Sequence, residues 1–197
     1  MKRQRPKPRT PDLILTAAER VVLRDGVSRL TLEAVAREAK LSKGGLLYHF
    51  STKEMLIQAM LSRLIQHCER EIEAYQQEDT KPGHWTRAYV RRAIGPRLSY
   101  PGEADFPKSR EVGAGIIVAA TTDPQLLAPL RERFQAWQRA IEGDGIDVAR
   151  ATVVRLAVDG LWLAELLGIW SLDGPLRTQV LNELIRLAQE TPQKGKT

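Results

Sequence analysis

Apolar residues recur along this chain of 197 residues at three- and four-residue spacing, and no window alternates convincingly with period two. That restricts the chain to packed helices, so the expected class is all-α. Ile14, Ala17, Ala18, Val21 and Val22 mark one helical face, opened by Thr10 as N-cap with Pro11 in the first turn and closed by Gly26. Leu32, Val35, Ala36 and Ala39 mark a second, with Thr31 as its cap. Leu56, Met60, Leu64, Cys68, Ile72 and Tyr75 mark a long helix that runs to about residue 77, with Ser51 and Glu54 at capping-box spacing before it. Further helices are expected at 84–99, 108–121, 124–142, 147–171 and 174–190. Glycine and proline breaks separate them at 81–83, 101–107, 123–124, 143–145 and 173–175. The tail from Pro192 is expected to fray.

Between the second face and the long helix lies a stretch with a different character. Residues 42–54 read Ser-Lys-Gly-Gly-Leu-Leu-Tyr-His-Phe-Ser-Thr-Lys-Glu. Ser42 caps a short helix ending near Phe50, in which Leu46 and Phe50 are core. Gly44 and Gly45 each cost about 1 kcal/mol relative to alanine inside a helix, so something other than helix propensity selects them. Close backbone approach to a partner is one such reason. The hydroxyls and cations around them (Ser42, Lys43, Tyr48, His49, Lys53) are groups that grip phosphate. Three helices in about forty residues, the last two joined tightly at Lys40-Leu41, make a helix-turn-helix.

The charge distribution agrees. Residues 1–53 hold 12 Lys and Arg against 5 Asp and Glu, whereas residues 54–197 hold 18 against 19. The basicity belongs to the N-terminal quarter, as expected for a segment that meets a polyanion. Residues 1–9 form a basic, proline-interrupted arm, either a solubilising tail or a segment that orders on nucleic acid. No apolar stretch follows the arm, so no secretory signal is expected. The most apolar window, 153–172, contains Arg155, Asp159 and Glu165 and reads as a buried bundle helix, not a membrane span. The lone Cys68 offers neither a disulfide nor a metal cluster and fits a reducing cytoplasm. No cofactor and no metal site are expected.

Residues 10–56 resemble the DNA-binding domain of the TetR family of bacterial transcription regulators. The resemblance lies in Leu30 through Ala39, Leu41 through Phe50 with its Gly-x-Leu-x-Tyr-His-Phe run, and Lys53-Glu54. It implies an N-terminal helix-turn-helix domain, 1–56, joined by the long helix to a helical ligand-binding and dimerisation domain, 57–197. By position it places Lys43, Gly44, Gly45 and Leu47 at base edges, and Thr31, Ser42, Tyr48, His49 and Lys53 at phosphates. Many members carry threonine where this chain has Gly45 and an aromatic residue where it has Leu47. Both hydroxyls are therefore missing, which leaves Lys43 as the leading direct reader, with guanine as its expected contact.

The resemblance further implies a homodimer, through helices near 147–171 and 174–190, and a small-molecule effector. An apolar cavity with a few polar groups would draw on Trp85, Tyr89, Phe106, Ile117, Trp137, Asp159 and Trp162. Ile116, Phe134 and Trp170 are of the same kind, and all of these serve equally as plain core. Asp159 has Arg155 four residues before it, so an intrahelical ion pair and a carboxylate for a cationic ligand both stand.

The function implied is a ligand-responsive repressor that binds an inverted-repeat operator as a dimer and is released by an inducer. Two alternatives stay open. One is a sequence-indifferent DNA-binding protein without an inducer. The other is an all-α small-molecule-binding protein or enzyme. Against an enzyme, His49, His67 and His84 lack metal spacing, and Cys68 has no base placed for it.

Overall fold

The computed structural model describes residues 9–94, 113–117 and 123–189. Several expectations fall outside these residues: the arm before Arg9, Phe106, the breaks at 101–107, the ends of the helices begun at 84 and 108, and the tail. Every regular element among the described residues is helical. In order they are α1 (Thr10–Asp25), α2 (Leu32–Glu38), α3 (Lys43–Leu47), α4 (Lys53–Gln76), α5 (His84–Ile94), α6 (113–117), α7 (Ala128–Glu142), α8 (Val148–Leu166) and α9 (Gly174–Leu187). Short 3-10 turns at Val27–Arg29 and Pro124–Leu127 complete the list.

Two compact units result, one of residues 1–64 with 107–129, the other of 65–106 with 130–197. α4 contributes its first part to one and its second part to the other.

In the first unit, α1 buries the expected face of Ile14, Ala17, Ala18, Val21 and Val22. Its start differs from expectation. Arg9, extended at ψ 150°, is the N-cap and its carbonyl accepts from Leu13 N–H, so Thr10 is already helical and caps nothing. Thr31 does cap α2, its Oγ1 accepting from Ala34 N–H at 3.1 Å. α2 ends with Lys40 in the left-handed region at φ 56°. There the N–H groups of Leu41 and Lys40 donate to the carbonyls of Ala36 and Arg37, the paired bonds of a Schellman motif. Glycine usually fills that position, and a side-chain-bearing residue costs about 1 kcal/mol there.

Ser42 caps α3 through Gly45 N–H at 3.1 Å, and Leu46 and Phe50 are buried. α4 begins one residue later than the Ser51 cap implies. Thr52 Oγ1 accepts from Met55 N–H at 3.1 Å, while Ser51 Oγ lies 3.1 Å from Met55 Sδ. Along α4, Leu56, Met60, Leu61 and Ile57 are buried. Arg63 ties α4 to α1, donating to Thr16 Oγ1 at 3.0 Å and to the Asp12 carbonyl at 3.3 Å. α6 runs close to α1: a Cβ at Gly115 would sit 2.9 Å from Val22 Cγ1.

The second unit packs α5 against α8 and α9 around Cys68, Ile72, Tyr75, Tyr89, Val90, Trp137, Val154 and Val158. The N-terminus of α5 is capped by a residue far along the chain. Buried Asp144 accepts from Trp85 N–H at 3.0 Å, Thr86 N–H at 2.8 Å and Thr86 Oγ1 at 2.7 Å. Beside it Arg87, 2% exposed, donates to both Asp79 carboxylate oxygens and to the carbonyls of Lys81, Pro82 and Ala188. Gly83 lets the backbone into this clasp, since a Cβ there would sit 2.0 Å from the Ala188 carbonyl oxygen.

The last two helices end earlier than expected. α8 stops at Leu166, not 171, because Gly168 takes φ 66° and the Ile169 and Gly168 N–H groups donate back to Ala164 and Glu165. Ile169 and Trp170 are left exposed beyond it. α9 stops at Leu187.

Candidate functional site

The α2–turn–α3 segment brings the expected nucleic-acid residues into about twenty residues of chain with a fixed local geometry. α3 is held from below by Leu46, fully buried, and Phe50, and from its start by the Ser42 cap. With one side so anchored, Lys43, Gly44 and Tyr48 stand exposed, and Gly45, Leu47 and His49 are half-buried. Tyr48 is 86% exposed, so its ring does not close the core of the domain. It meets His49 edge-to-face at 5.0 Å instead. Thr31 and Ser42 use an oxygen lone pair for capping, and each hydroxyl keeps its hydrogen to donate. Lys53 is half-buried as the first residue of α4.

The two glycines separate in what surrounds them. A Cβ at Gly45 would press to 3.2 Å on the Ser42 cap oxygen, whereas one at Gly44 would meet nothing within 4 Å. Gly45 is thus crowded by the Ser42 cap, whereas the space about Gly44 is open. Lys43 is the first residue of α3, and its Nζ lies 2.6 Å from Glu33 Oε1 on α2. The sequence reading missed Glu33, because it is ten positions away and only the helix-turn-helix fold brings the two together.

In the second unit, four of the residues suggested for a ligand core meet. Trp85 stacks on Tyr89 at 5.2 Å, and Trp137 meets Tyr89 at 5.5 Å in an edge-on arrangement. The Tyr89 hydroxyl donates to Asp159. The ion pair anticipated for Asp159 is also present, with Arg155 Nε at 3.3 Å. Arg155 further donates to Gln138 Oε1 at 3.0 Å and lies 4.9 Å over the Phe134 ring. Burial raises the Asp159 carboxyl above its usual range, while the Tyr89 hydroxyl and Arg155 pull it down. Burial and the Asp159 charge hold Tyr89 in its protonated, donating form. Of the other candidates, Ile117 is half-buried on α6 in the first unit, Trp162 is half-buried on α8, and Phe106 lies outside the described residues.

Sequence reading also missed a second polar group in this core. Arg92 Nη2 lies 2.7 Å from Cys68 Sγ, and its Nε lies 3.4 Å from Glu71. Burial pushes the Cys68 thiol up, so it stays protonated at neutral pH. The apolar stripe of α4 gave no sign of this contact.

Comparison with known proteins bears on both units. Residues 14–60 match the family model described as bacterial regulatory proteins, tetR family. Residues 83–189 match the model of the tetracyclin repressor-like C-terminal domain. A stretch of 66 residues is 36% identical to the HTH-type transcriptional regulator TtgR of Pseudomonas putida, covering 34% of this chain and 31% of that protein. The chain thus spans about a third of the length of the curated relatives it matches. The crystal structure of the putative transcriptional regulator SCO7518 from Streptomyces coelicolor A3(2) superposes with a TM-score of 0.69 at 18% identity, over 93% of this chain and 100% of that one. The multidrug binding protein EbrR complexed with ethidium superposes with a TM-score of 0.64 at 23% identity, over 91% and 98%.

Proposed function

From the premise that the chain belongs to the TetR family of bacterial transcriptional regulators, we propose that it is a repressor that binds an inverted-repeat operator as a dimer and leaves it when a small molecule binds. The family is one of DNA-binding regulators and not of enzymes. In this reading residues 1–56 bind DNA and residues 57–197 bind effector and partner, in the cytoplasm. No helix among the described residues is long and apolar enough to cross a membrane.

The observation that carries the reading is α3. A capped five-residue helix, anchored by Leu46 and Phe50, exposes Lys43, Gly44 and Tyr48. Lys43, Gly44, Gly45 and Leu47 are assigned to base edges, and Thr31, Ser42, Tyr48, His49 and Lys53 to phosphates.

The dimer is supported by α8. Val153, Leu156, Leu163 and Leu167 are 59, 63, 44 and 44% exposed, and with the exposed Gly160 they recur at three- and four-residue steps. Such a stripe is buried when two copies pair α8 and α9 into a four-helix bundle about a two-fold axis. The dimer then sets two α3 helices about 34–36 Å apart in successive major grooves. An effector that prefers a body shape with another spacing shifts the population away from DNA.

For the effector, Asp159 among Trp85, Tyr89 and Trp137 suits a cationic aromatic molecule, the kind that EbrR binds in its ethidium complex. Ethidium is expected to quench the tryptophan fluorescence of the DNA-free chain saturably, with Asp159→Asn weakening the effect. Quenching unaffected by Asp159→Asn contradicts the assignment of that carboxylate.

The function itself is tested by selecting bound duplexes from a random pool. Enrichment of an inverted repeat with half-sites about one helical turn apart is the expected result. Binding without enrichment returns the chain to a sequence-indifferent DNA-binding protein.

A further inference from the structure

Glu33 stands beside the reading helix with a charge that DNA repels. It is the second residue of α2, its side chain is 61% exposed, and its carboxylate lies 2.6 Å from the ammonium of Lys43, itself 63% exposed. Lys43 and the residue's own backbone amide hold that carboxyl below the usual range, so it is fully charged at neutral pH. An exposed pair of this kind adds little to folding. A duplex carries a negative charge about every 1.7 Å along its axis, so an acid here is a cost to any binding that uses phosphates alone.

The contact matters for how Lys43 is used. A lysine at the first position of α3 with no partner pairs readily with the nearest phosphate, which carries no sequence information. With Glu33 attached, moving the ammonium onto a phosphate also brings a carboxylate against it. A base edge makes no such demand. The ammonium has three donors, and one can stay on Glu33 while the others meet acceptors such as O6 and N7 of guanine. We propose that Glu33 is a specificity-determining residue that acts through Lys43, holding its ammonium off the phosphates and reserving it for base edges. This rests on the reading of α3 as the base-reading helix.

The test uses the full chain as wild type, Glu33→Gln, Lys43→Ala and the double variant. Affinity is followed against salt on the enriched duplex and on a scrambled duplex of equal length. Glu33→Gln keeps the size and hydrogen-bonding capacity of the side chain, and Glu33→Ala, which favours the helix, repeats the measurement in case the first variant folds poorly. Removing the carboxylate is expected to tighten binding to scrambled DNA several-fold. The logarithmic salt slope there should steepen by about 0.9, the value of one further phosphate contact, and discrimination between the two duplexes should fall by a similar factor. In the Lys43→Ala background the same change should leave slope and discrimination alone.

Equal tightening in both backgrounds overturns the proposal, since Glu33 then acts as a bare repulsive charge. Unchanged discrimination on Glu33→Gln overturns it as well. Failure of the wild type to tell the two duplexes apart is read before any variant is compared. It removes the base-reading premise and the proposal with it.

Discussion

Gly44 carries more of the argument than its neighbour because its cost has no internal return. It lies inside a helix, where alanine is favoured by about 1 kcal/mol, and a Cβ there would touch nothing within 4 Å. Gly44→Ala should therefore raise stability by up to about 1 kcal/mol in denaturant unfolding and at the same time weaken binding to the enriched duplex. A variant that is more stable and binds equally well would show that no partner approaches the backbone there. Much of this site was legible from the residues alone. Thr31 and Ser42 stand at cap positions directly before helices, and Leu46 and Phe50 fall four apart, so local spacing determines what each does. The Glu33–Lys43 contact was not legible, because it depends on how two helices meet across a turn. That turn is itself unusual in placing Lys40 at φ 56°.

At the scale of elements, helices stood out wherever a stripe was long, and an end or its cap was hidden wherever the group that fixes it was remote or surrounded by apolar residues. The end of α8 shows the second case. Apolar residues continue through Ile169 and Trp170, and only the left-handed turn at Gly168 separates them from the helix. The cap of α5 shows the first: the helix starts at His84, where the break at 81–83 implies, but Asp144, which caps it, lies 58 residues beyond Thr86 in the chain. The neighbouring Arg87 gives a measurable consequence. Arg87→Met leaves buried carbonyls and the Asp79 carboxylate without their donor and should cost about 3 kcal/mol or more. Arg87 holds the Asp79 carboxyl down at about 2. A carboxyl depressed by folding adds stability that is full above its ordinary value and is lost as pH falls toward the depressed one. The penalty of Arg87→Met should accordingly be larger at pH 6 than at pH 2 in urea titrations. An equal penalty at both would mean that the ion pair contributes nothing beyond the buried hydrogen bonds.

For the whole molecule the account rests on two copies acting together. Val153, Leu156 and Leu163 on α8, with Leu167 just past its end, leave an apolar stripe that water would otherwise cover. A glutamate within a two-fold interface places a charge opposite its own copy. Leu156→Glu should yield a monomer by light scattering at micromolar concentration, with helical content retained and operator affinity lost. A variant that stays dimeric would move the interface elsewhere. The sequence pointed to this region through its apolar content and the family resemblance. Which residues face outward emerged only with α8 packed against α5 and α9.

The claim that joins these scales is that α3 reads base sequence, and it is tested most directly by one ratio. That ratio is the affinity of the wild-type chain for its enriched inverted repeat over its affinity for a scrambled duplex, at about 150 mM salt. The account predicts a ratio of about 10³ or more, falling at least tenfold in Lys43→Ala. A wild-type ratio near one, with binding that salt alone abolishes, would contradict it.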